Sequence, residues 1–251
     1  MSGRGPVRID ILTIFPDMVE AALGESIIAR ARESGLLDAR AVDIREYSED
    51  RHRRTDDEPF GGGAGMVMTC QPVFSALRGI SAEHSRMIYM SPRGRIMDLS
   101  LLEDLASEPR ITILCGHYEG IDERILEAFP FEEVSIGDYI LTGGELPALV
   151  LTDALTRLLP GALGSEESHA EESIYSGLLE YPQYTRPAEY AGLNVPDVLT
   201  SGHHRQIHLF QFRKSLELTK DRRPDLLSAY ISDHPELDKE ELRILAEFIG
   251  E

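Results

Sequence analysis

The sequence predicts an α/β protein with a largely parallel sheet, followed by a small helical domain. Two observations support this fold class. Between Val7 and Leu159, short apolar runs rich in β-branched residues alternate with helix-like stretches, as expected for strands joined through helices. From Arg205 onward the apolar residues follow helical spacing instead.

The predicted strands are apolar runs bounded by polar or turn residues. They are Val7–Phe15, Arg86–Met90, Arg110–Cys115 and a weaker run at Glu133–Ile136. Helices are predicted between and after them: after Pro16, from Pro72 towards Leu77, around Leu101 to Ala106, after Gly120, and from Pro147 to Leu159. Pro160 and Gly161 end the last of these helices.

A change in composition divides the chain. Residues 164–172, with the sequence GSEESHAEE, are small, polar and acidic, so they cannot bury apolar surface and are predicted to be a linker or flexible loop. Beyond Tyr181, three prolines punctuate an extended segment before the helical region begins. The predicted domains are therefore residues 1–162, an acidic linker at 163–180, and a helical domain at 181–251.

Size and composition indicate a soluble chain with a substantial core. The 251 residues are 42% hydrophobic and 27% charged. The two cysteines, Cys70 and Cys115, form no CxxC pair, which disfavours a zinc site or a disulfide framework. No stretch resembles a signal peptide, and apolar runs such as Leu146 to Leu151 are too short to span a bilayer. We expect a cytoplasmic protein without a membrane partner.

The charge balance argues at first against a nucleic-acid partner. The formal net charge is −19, whereas phosphate binding needs Lys and Arg. The balance is reversed locally, because between Tyr181 and Arg223 seven basic residues face four acids, a local charge of +3. Arg51, Arg53 and Arg54 form a second basic cluster. Local phosphate contacts therefore stay open, with modest affinity and strong salt dependence.

Four glycine-containing segments are candidates for a ligand site. They are EPFGGGAGM at 58–66, SPRGR at 91–95, CGHYEGIDER at 115–124 and SIGDYILTGGELP at 135–147. The last three each follow a predicted strand, where α/β proteins bind ligands. Taken singly, each is also compatible with an ordinary connecting turn, which is the simpler interpretation of SPRGR, and the first matches neither a P-loop nor GxGxxG.

Two further patterns are weaker. YPQYTRP at 181–187 offers rings that stack on bases and an arginine for phosphate, although an extended linker packing its aromatic residues is the simpler interpretation. His204 and His208 would share a helix face, but no third ligand is evident, so we predict no metal site. A nucleophilic hydrolase is disfavoured, because the chain has no GxSxG elbow.

Taken together and in this order, these segments resemble one family closely: the bacterial tRNA guanine-N1 methyltransferases, of the knotted (SPOUT) class. The resemblance runs from IDILTIFPDM at 9–18 to RRPDLL at 222–227. It implies transfer of a methyl group from S-adenosylmethionine to the N1 of guanosine 37 in tRNA. It also implies a trefoil knot in the first domain, a bent methyl donor, and a homodimer with active sites between subunits.

The resemblance also implies site residues. The cofactor-binding positions would be Pro92, Gly116, Tyr118, Glu119, Ile136, Gly137, Asp138, Tyr139, Ile140, Leu141, Gly143, Gly144 and Pro147. The tRNA-binding positions would be Gly65, Ser173, Tyr184, Arg186, Arg205 and Arg222. A magnesium requirement is also implied, with the ion held through the cofactor carboxylate, acidic side chains or the RNA, since no metal-ligand cluster is visible.

The implied chemistry needs a base, because methylation at N1 of guanine requires removal of a weakly acidic proton. The family uses an aspartate in the linker, with an arginine stabilising the charge that develops. Here the arginine is Arg157 and the aspartate position falls on Glu172, which departs from the family pattern by one methylene and lies beside Glu171. Two alternatives stay open: a knotted methyltransferase directed to rRNA, and a non-catalytic RNA- or nucleotide-binding module.

Overall fold

The computed structural model describes residues 5–163, 173–174, 176–233 and 236–249. They form two compact units, residues 1–164 and 165–251. The strands of the first unit are β1 (Val7–Thr13), β2 (Leu37–Asp43), β3 (Asp56–Asp57), β4 (Val67–Met68), β5 (Arg86–Ile96), β6 (Arg110–Cys115) and β7 (Phe131–Ser135). Its α-helices are α1 (Pro16–Leu23), α2 (Ser26–Glu33), α3 (Cys70–Gly79), α4 (Leu99–Ala106), α5 (Glu123–Ala128) and α6 (Glu145–Leu158).

The main sheet has the order β2-β1-β6-β5-β7, and all of its pairings are parallel. Apolar residues cover both of its faces, as a parallel sheet requires. One buried cluster packs the sheet against α1, α2, α4 and α6, and another packs it against α3 and α5. The predicted α/β fold with a largely parallel sheet is confirmed for this unit.

Strand β2 and helix α2, which both contribute to the core of the first unit, were not predicted. Strand β2 alternates small apolar residues with charged ones at the edge of the sheet, and Ala39 fills a core position that a β-branched residue usually marks. Helix α2 follows α1 after a break at Gly24 and Glu25, and its buried face is formed by Ile27, Ile28 and Ala31.

Strand β5 is longer than predicted. The expected turn at residues 91–95 lies within β5, which pairs with β7 up to Met90 and again from Arg95. Residues 91–94 leave the ladder between these two stretches. An added Cβ on Gly94 would come within 2.3 Å of the backbone of Glu133, so only glycine permits this close approach.

A buried carboxylate joins three strands at the start of the sheet. Asp10 on β1 is fully buried and accepts hydrogen bonds from Arg8, from Arg40 on β2 and from Arg110 on β6. Burial by itself would raise the pKa of this carboxyl, but the hydrogen bonds from the arginines outweigh it and lower the pKa below the ordinary 3.8.

Replacing Asp10 with Asn should therefore destabilise the protein by about 3 kcal/mol at neutral pH, since three guanidinium groups lose their shared partner. A lowered pKa in the folded state contributes stability that is present above the ordinary value and is lost as the pH falls through the folded one. Urea unfolding should thus show a difference between variant and wild type that shrinks below about pH 4. Glu103→Gln, at an exposed position, is the control, and an equal loss from both variants would contradict this role.

The second unit is mainly helical. It contains a short hairpin whose two strands, β8 (Glu189–Tyr190) and β9 (Leu193–Asn194), have two residues each. The hairpin is followed by the helices α7 (Asp197–Thr200), α8 (His204–Arg222), α9 (Pro224–Asp233) and α10 (Lys239–Ile249). Its core is formed by Leu178, Leu216, Leu227, Ile244 and Leu245. Leu178 falls within the range predicted as linker, whereas residues 164–172 of that range lie outside the described residues. In the described part of the chain, no helix is both long and apolar enough to cross a membrane.

Candidate active site

A cavity of about 360 Å³ lies at the carboxyl edge of the parallel sheet. Its walls come from three loops, which follow or interrupt β5, β6 and β7 at residues 90–93, 116–121 and 135–141, and from the start of α6. The volume is in the range of small-molecule sites, and the position is where open α/β sheets bind ligands. The three glycine-containing segments that follow predicted strands therefore converge on one site.

Twelve of the thirteen predicted cofactor-binding residues line this cavity. They are Pro92, Gly116, Tyr118, Glu119, Ile136, Gly137, Tyr139, Ile140, Leu141, Gly143, Gly144 and Pro147. Asp138 is the exception, because it is exposed and does not contribute to the wall. Ile140 is 78% exposed, which leaves apolar surface beside the cavity for a ligand or a second chain to cover.

The glycines of the wall permit close backbone approach. A Cβ on Gly144 would lie 2.7 Å from Cα of Cys115, and one on Gly116 would lie 2.7 Å from the hydroxyl oxygen of Tyr89. The amide of Gly144 donates to the carbonyl of Gly116 at 2.8 Å, so the start of α6 is joined to the loop after β6. Such a cradle suits a flat ligand in contact with backbone.

Arg93 of the cavity wall is paired with two acids. Arg93 donates to Glu133 at 3.1 Å and forms an ion pair with Glu123 at 3.4 Å. The charge of Glu133 is the main reason that the pKa of Arg93 is raised. Burial raises the pKa of Tyr89 to about 12, so its phenol stays protonated at neutral pH.

Sequence analysis missed His117, which lines the cavity, and Glu145, which lies next to it. Glu145 is the first residue of α6; its side chain is 4% exposed, and its Oε1 accepts a hydrogen bond from the hydroxyl of Thr13 at 2.8 Å. Its Oε2 lies 3.8 Å from Nδ1 of His117. The sequence signal that could have identified Glu145 is an acidic residue at a helix start, directly after Gly143 and Gly144.

The loop that carries EPFGGGAGM adjoins the cavity at Gly65. A Cβ there would lie 2.5 Å from Oε1 of Glu119, and the amide of Glu119 donates to the carbonyl of Met66 at 3.0 Å. Phe60, at the other end of the glycine run, is fully exposed. The structure thus places Gly65, a predicted tRNA contact, against a cavity residue.

The other predicted tRNA contacts lie in the second unit. Tyr184, Arg186 and Arg222 are exposed, and neither arginine forms an ion pair with the described residues. Arg205 is paired with Asp238 and Glu240. Ser173 instead accepts a hydrogen bond from the amide of Glu180 at 2.8 Å.

Ion pairs between helices offset much of the local positive charge. Arg205 and Arg213 on α8 pair with Glu240 and Glu247 on α10. His208 on α8 lies 2.6 Å from Glu241 on α10, so it contacts a carboxylate. Among the described residues, no group of three or more His, Cys, Asp or Glu is arranged to hold a metal ion.

The structure describes one of the two predicted catalytic residues. Arg157 lies in the last turn of α6 and is half-buried. Glu172 lies outside the described residues.

The fold and the cavity together define the class of this protein. It is an α/β protein with a parallel sheet and a glycine-lined small-molecule site at the carboxyl ends of the strands. Comparison with known proteins narrows this class. Residues 7–229 match the model of the family described as tRNA (Guanine-1)-methyltransferase TrmD.

Curated relatives agree with this match. A tRNA (guanine-N(1)-)-methyltransferase of Ruminiclostridium cellulolyticum is 52% identical over 225 residues, which cover 88% of this chain and 97% of the relative. The proteins of the same name from Moorella thermoacetica and Limosilactobacillus fermentum are 53% and 48% identical, over 88% and 95% of this chain and 90% and 97% of theirs. The chain therefore belongs to the tRNA (guanine-N1)-methyltransferase family of enzymes.

Proposed function

We propose that this enzyme transfers a methyl group from S-adenosylmethionine to the N1 of guanosine 37 in tRNA. The observation that carries the proposal is the convergence of the family's three strand-end motifs on one glycine-lined cavity. The cavity has the size of a nucleoside-bearing ligand, and its close-approach glycines suit an adenine ring in contact with backbone amides and carbonyls.

The residues of the wall fit the donor. Gly116, Gly143 and Gly144 leave space that a side chain would fill, and the exposed Ile140 and Leu141 offer apolar surface to the adenosine. When bound, S-adenosylmethionine supplies an electrophilic methyl group. We also propose that the first unit contains a trefoil knot, which holds the bound methyl donor in a bent conformation. It is supported by the return of residues 143–144 onto the loop after β6, where Gly143 is bridged to His117.

Removal of the N1 proton of guanine is assigned to Glu172, which carries the same carboxylate as the family's aspartate. A carboxylate within hydrogen-bond reach of N1 takes the proton as the new N–C bond forms. Arg157 would lie near O6 and stabilise the negative charge that develops on the base. A magnesium ion, held through the donor carboxylate, acidic side chains or the RNA, is part of the proposal.

The geometry of α6 favours active sites between subunits. Glu145, at the end of α6 nearer the cavity, and Arg157 lie twelve residues apart on this helix, which is about 18 Å of helix length. An arginine side chain is too short to cover that distance, so the Arg157 that serves a cavity would come from a second copy of the chain. We therefore propose a homodimer.

Exposed apolar residues on α6 and at the start of α1 offer a surface for the second copy. Leu146 and Val150 lie one turn apart on α6, which packs beside α1 and its exposed Phe15 and Met18. Val150→Glu should shift sedimentation towards the monomer, because the new charge would be buried in the interface. Leu193→Glu, at an exposed leucine of the hairpin in the second unit, is the control. Unchanged sedimentation of Val150→Glu would contradict this interface.

Contacts with tRNA are assigned to Gly65, Ser173, Tyr184, Arg186, Arg205 and Arg222. Arg186 and Arg222 are the best placed for phosphate, because no acid of the described residues pairs with them, whereas Arg205 would have to exchange Asp238 and Glu240 for RNA. The C-terminal unit would thus act as a tRNA-binding domain of modest affinity, weakened by salt.

The proposed function is tested by methyl transfer from labelled S-adenosylmethionine to a tRNA transcript with guanosine at position 37. We expect label in this transcript and none in a matched transcript with adenosine there, because only guanine presents an N1 proton for removal. Transfer to an rRNA fragment instead would favour an rRNA-directed enzyme. Donor binding without transfer to any RNA would favour a non-catalytic module.

A further inference from the structure

A buried carboxylate that the proposed transfer chemistry does not use lies next to His117, which lines the cavity. Glu145 begins α6, where the helix dipole favours a negative charge. One of its oxygens, Oε1, is fixed by the hydroxyl of Thr13, which in turn accepts a hydrogen bond from the amide of Phe15 at 2.8 Å. The other oxygen, Oε2, faces the ring of His117.

The ring of His117 is held in one orientation. Its side chain is 16% exposed; it packs against the ring of Phe15 with centroids 5.0 Å apart and perpendicular to Tyr118 at 5.1 Å. Nδ1 is buried and has no hydrogen-bond partner among the described residues. A Cβ on Gly143 would lie 2.4 Å from Nδ1 and 2.3 Å from Oε2 of Glu145, so a glycine is needed beside this pair.

Among the described residues, Nδ1 of His117 is buried without a partner, 3.8 Å from Oε2 of the buried Glu145. Burial of an unpaired ring nitrogen and of a carboxylate each costs free energy unless the two groups compensate one another. They do so when Nδ1 carries a hydrogen, which the imidazolium provides together with a second hydrogen on Nε2. The imidazolium then directs its Nδ1–H to Glu145, and its Nε2–H is left for the cavity that His117 lines.

We propose that Glu145 is a positioning residue that orients His117, so that the ring takes up a proton when the methyl donor binds and its Nε2–H binds the carboxylate of the donor's amino-acid moiety. This inference rests on the proposed function, which brings a ligand with a free carboxylate into the cavity. His117 would then bridge two carboxylates, which stabilises its charged form.

Charge in the cavity wall supports this choice of ligand group. Among the described residues that line the cavity, only Arg93 and His117 have basic side chains. Arg93 is already paired with Glu133 and Glu123. His117 is therefore the basic group with a nitrogen left for the ligand.

The remaining groups that face the pair do not replace this charge. Cys115 at the end of β6 is buried, and burial together with the charge of Glu145 raises the pKa of its thiol well above 9.0. Thr13 and Phe15, which follow β1, carry no charge. Tyr118 and Glu119 come from the same loop as His117. Glu145 is thus the acid that faces Nδ1.

The proposal makes carboxylate binding depend on proton uptake. Imidazole gains and loses its proton near neutral pH, so a ligand that stabilises the imidazolium draws a proton from solution when it binds. S-adenosylhomocysteine carries the carboxylate, whereas 5′-methylthioadenosine lacks the whole amino-acid moiety. The two ligands share their adenosine and thioether, and the second is therefore a matched control.

Calorimetry at pH 7.5 in two buffers of different ionisation enthalpy measures both affinity and proton uptake. For the wild type, we expect proton uptake with S-adenosylhomocysteine but none with 5′-methylthioadenosine. Glu145→Gln keeps an acceptor for Thr13 but removes the charge. It should abolish the uptake and reduce the preference for S-adenosylhomocysteine by about tenfold. His117→Arg, which is always charged, should keep the preference without any uptake.

Equal proton uptake with both ligands, or a Glu145→Gln variant that behaves like the wild type, would overturn the proposal. If Glu145→Gln does not fold, the comparison of the two ligands on the wild type decides. Binding of both ligands without a difference would overturn the carboxylate contact and leave the proposed function intact. Failure of the wild type to bind either ligand would overturn both this inference and the proposed function.

Discussion

Glu172→Gln should lower the rate of methyl transfer to guanosine 37 by roughly 10²–10⁴-fold, because the amide cannot take the N1 proton. Donor binding should be unchanged, since the proposed donor site consists of the strand-end loops. The change is therefore expected in kcat, with the dissociation constant of S-adenosylhomocysteine as the separate readout. The loss of rate in Glu172→Gln should also become smaller as the pH rises, because guanine N1 then loses its proton to solvent without a base from the protein.

Glu171→Gln is the matched control, since it removes the neighbouring carboxylate with the same change of shape and charge. We expect it to retain most of the activity. The opposite result, with Glu171→Gln inactive and Glu172→Gln active, would move the base by one residue. Full activity in both variants would reject a linker carboxylate as the base. Arg157→Ala should lower kcat as well, by roughly 10²-fold, through loss of charge stabilisation.

Gly144→Ala should disrupt the cavity. The backbone of Gly144 has an ordinary φ of −81°, so alanine is conformationally allowed there. Its Cβ would nevertheless lie 2.7 Å from Cα of Cys115 and 3.0 Å from the amide nitrogen of Gly116. These neighbours are backbone atoms that cannot rotate away, so the start of α6 must move off β6 and lengthen the hydrogen bond from Gly144 to Gly116.

Overpacking of this kind costs about 1–3 kcal/mol of stability. A displacement of about 1 Å at the site is enough to reduce activity by roughly 10²-fold. Urea unfolding and calorimetric binding of S-adenosylhomocysteine measure the two effects. Gly5→Ala is the control, because no atom lies within 4 Å of the added Cβ. Wild-type stability and binding in Gly144→Ala would show that the close approach is not required.

The sequence was sufficient for the parts of the fold that depend on local pattern. Apolar runs predicted β1, β5 and β6, because a strand buried on both faces is largely apolar along its length. The run at Glu133–Ile136 predicted β7 more weakly, because this edge strand carries Glu132 and Glu133. The sequence also placed three glycine-containing segments after strands, and the parallel arrangement brings them to one edge. It was insufficient for β2, whose alternating Ala39 and Arg40 carry little strand signal at the edge of a sheet.

Local pattern was also insufficient for the path of β5. Pro92 and Gly94 predict a turn, yet the strand resumes at Arg95 because Val134 and Ser135 of β7 supply a second set of pairing partners. A contact between strands that lie far apart in the chain thus decided the local conformation.

Composition and spacing by themselves determined the α/β class and the loops that form the cavity, because these depend on neighbours in sequence. The family followed from the resemblance of the ordered motifs to a known family. Only the tertiary structure decided which charges meet. It joined Thr13 to Glu145 across 132 residues and Asp10 to Arg110 across 100. It also paired the arginines of α8 with the acids of α10, which offsets positive charge that a residue count assigns to phosphate. Electrostatic energy depends on distance in space and on burial, and neither can be read from position along the chain.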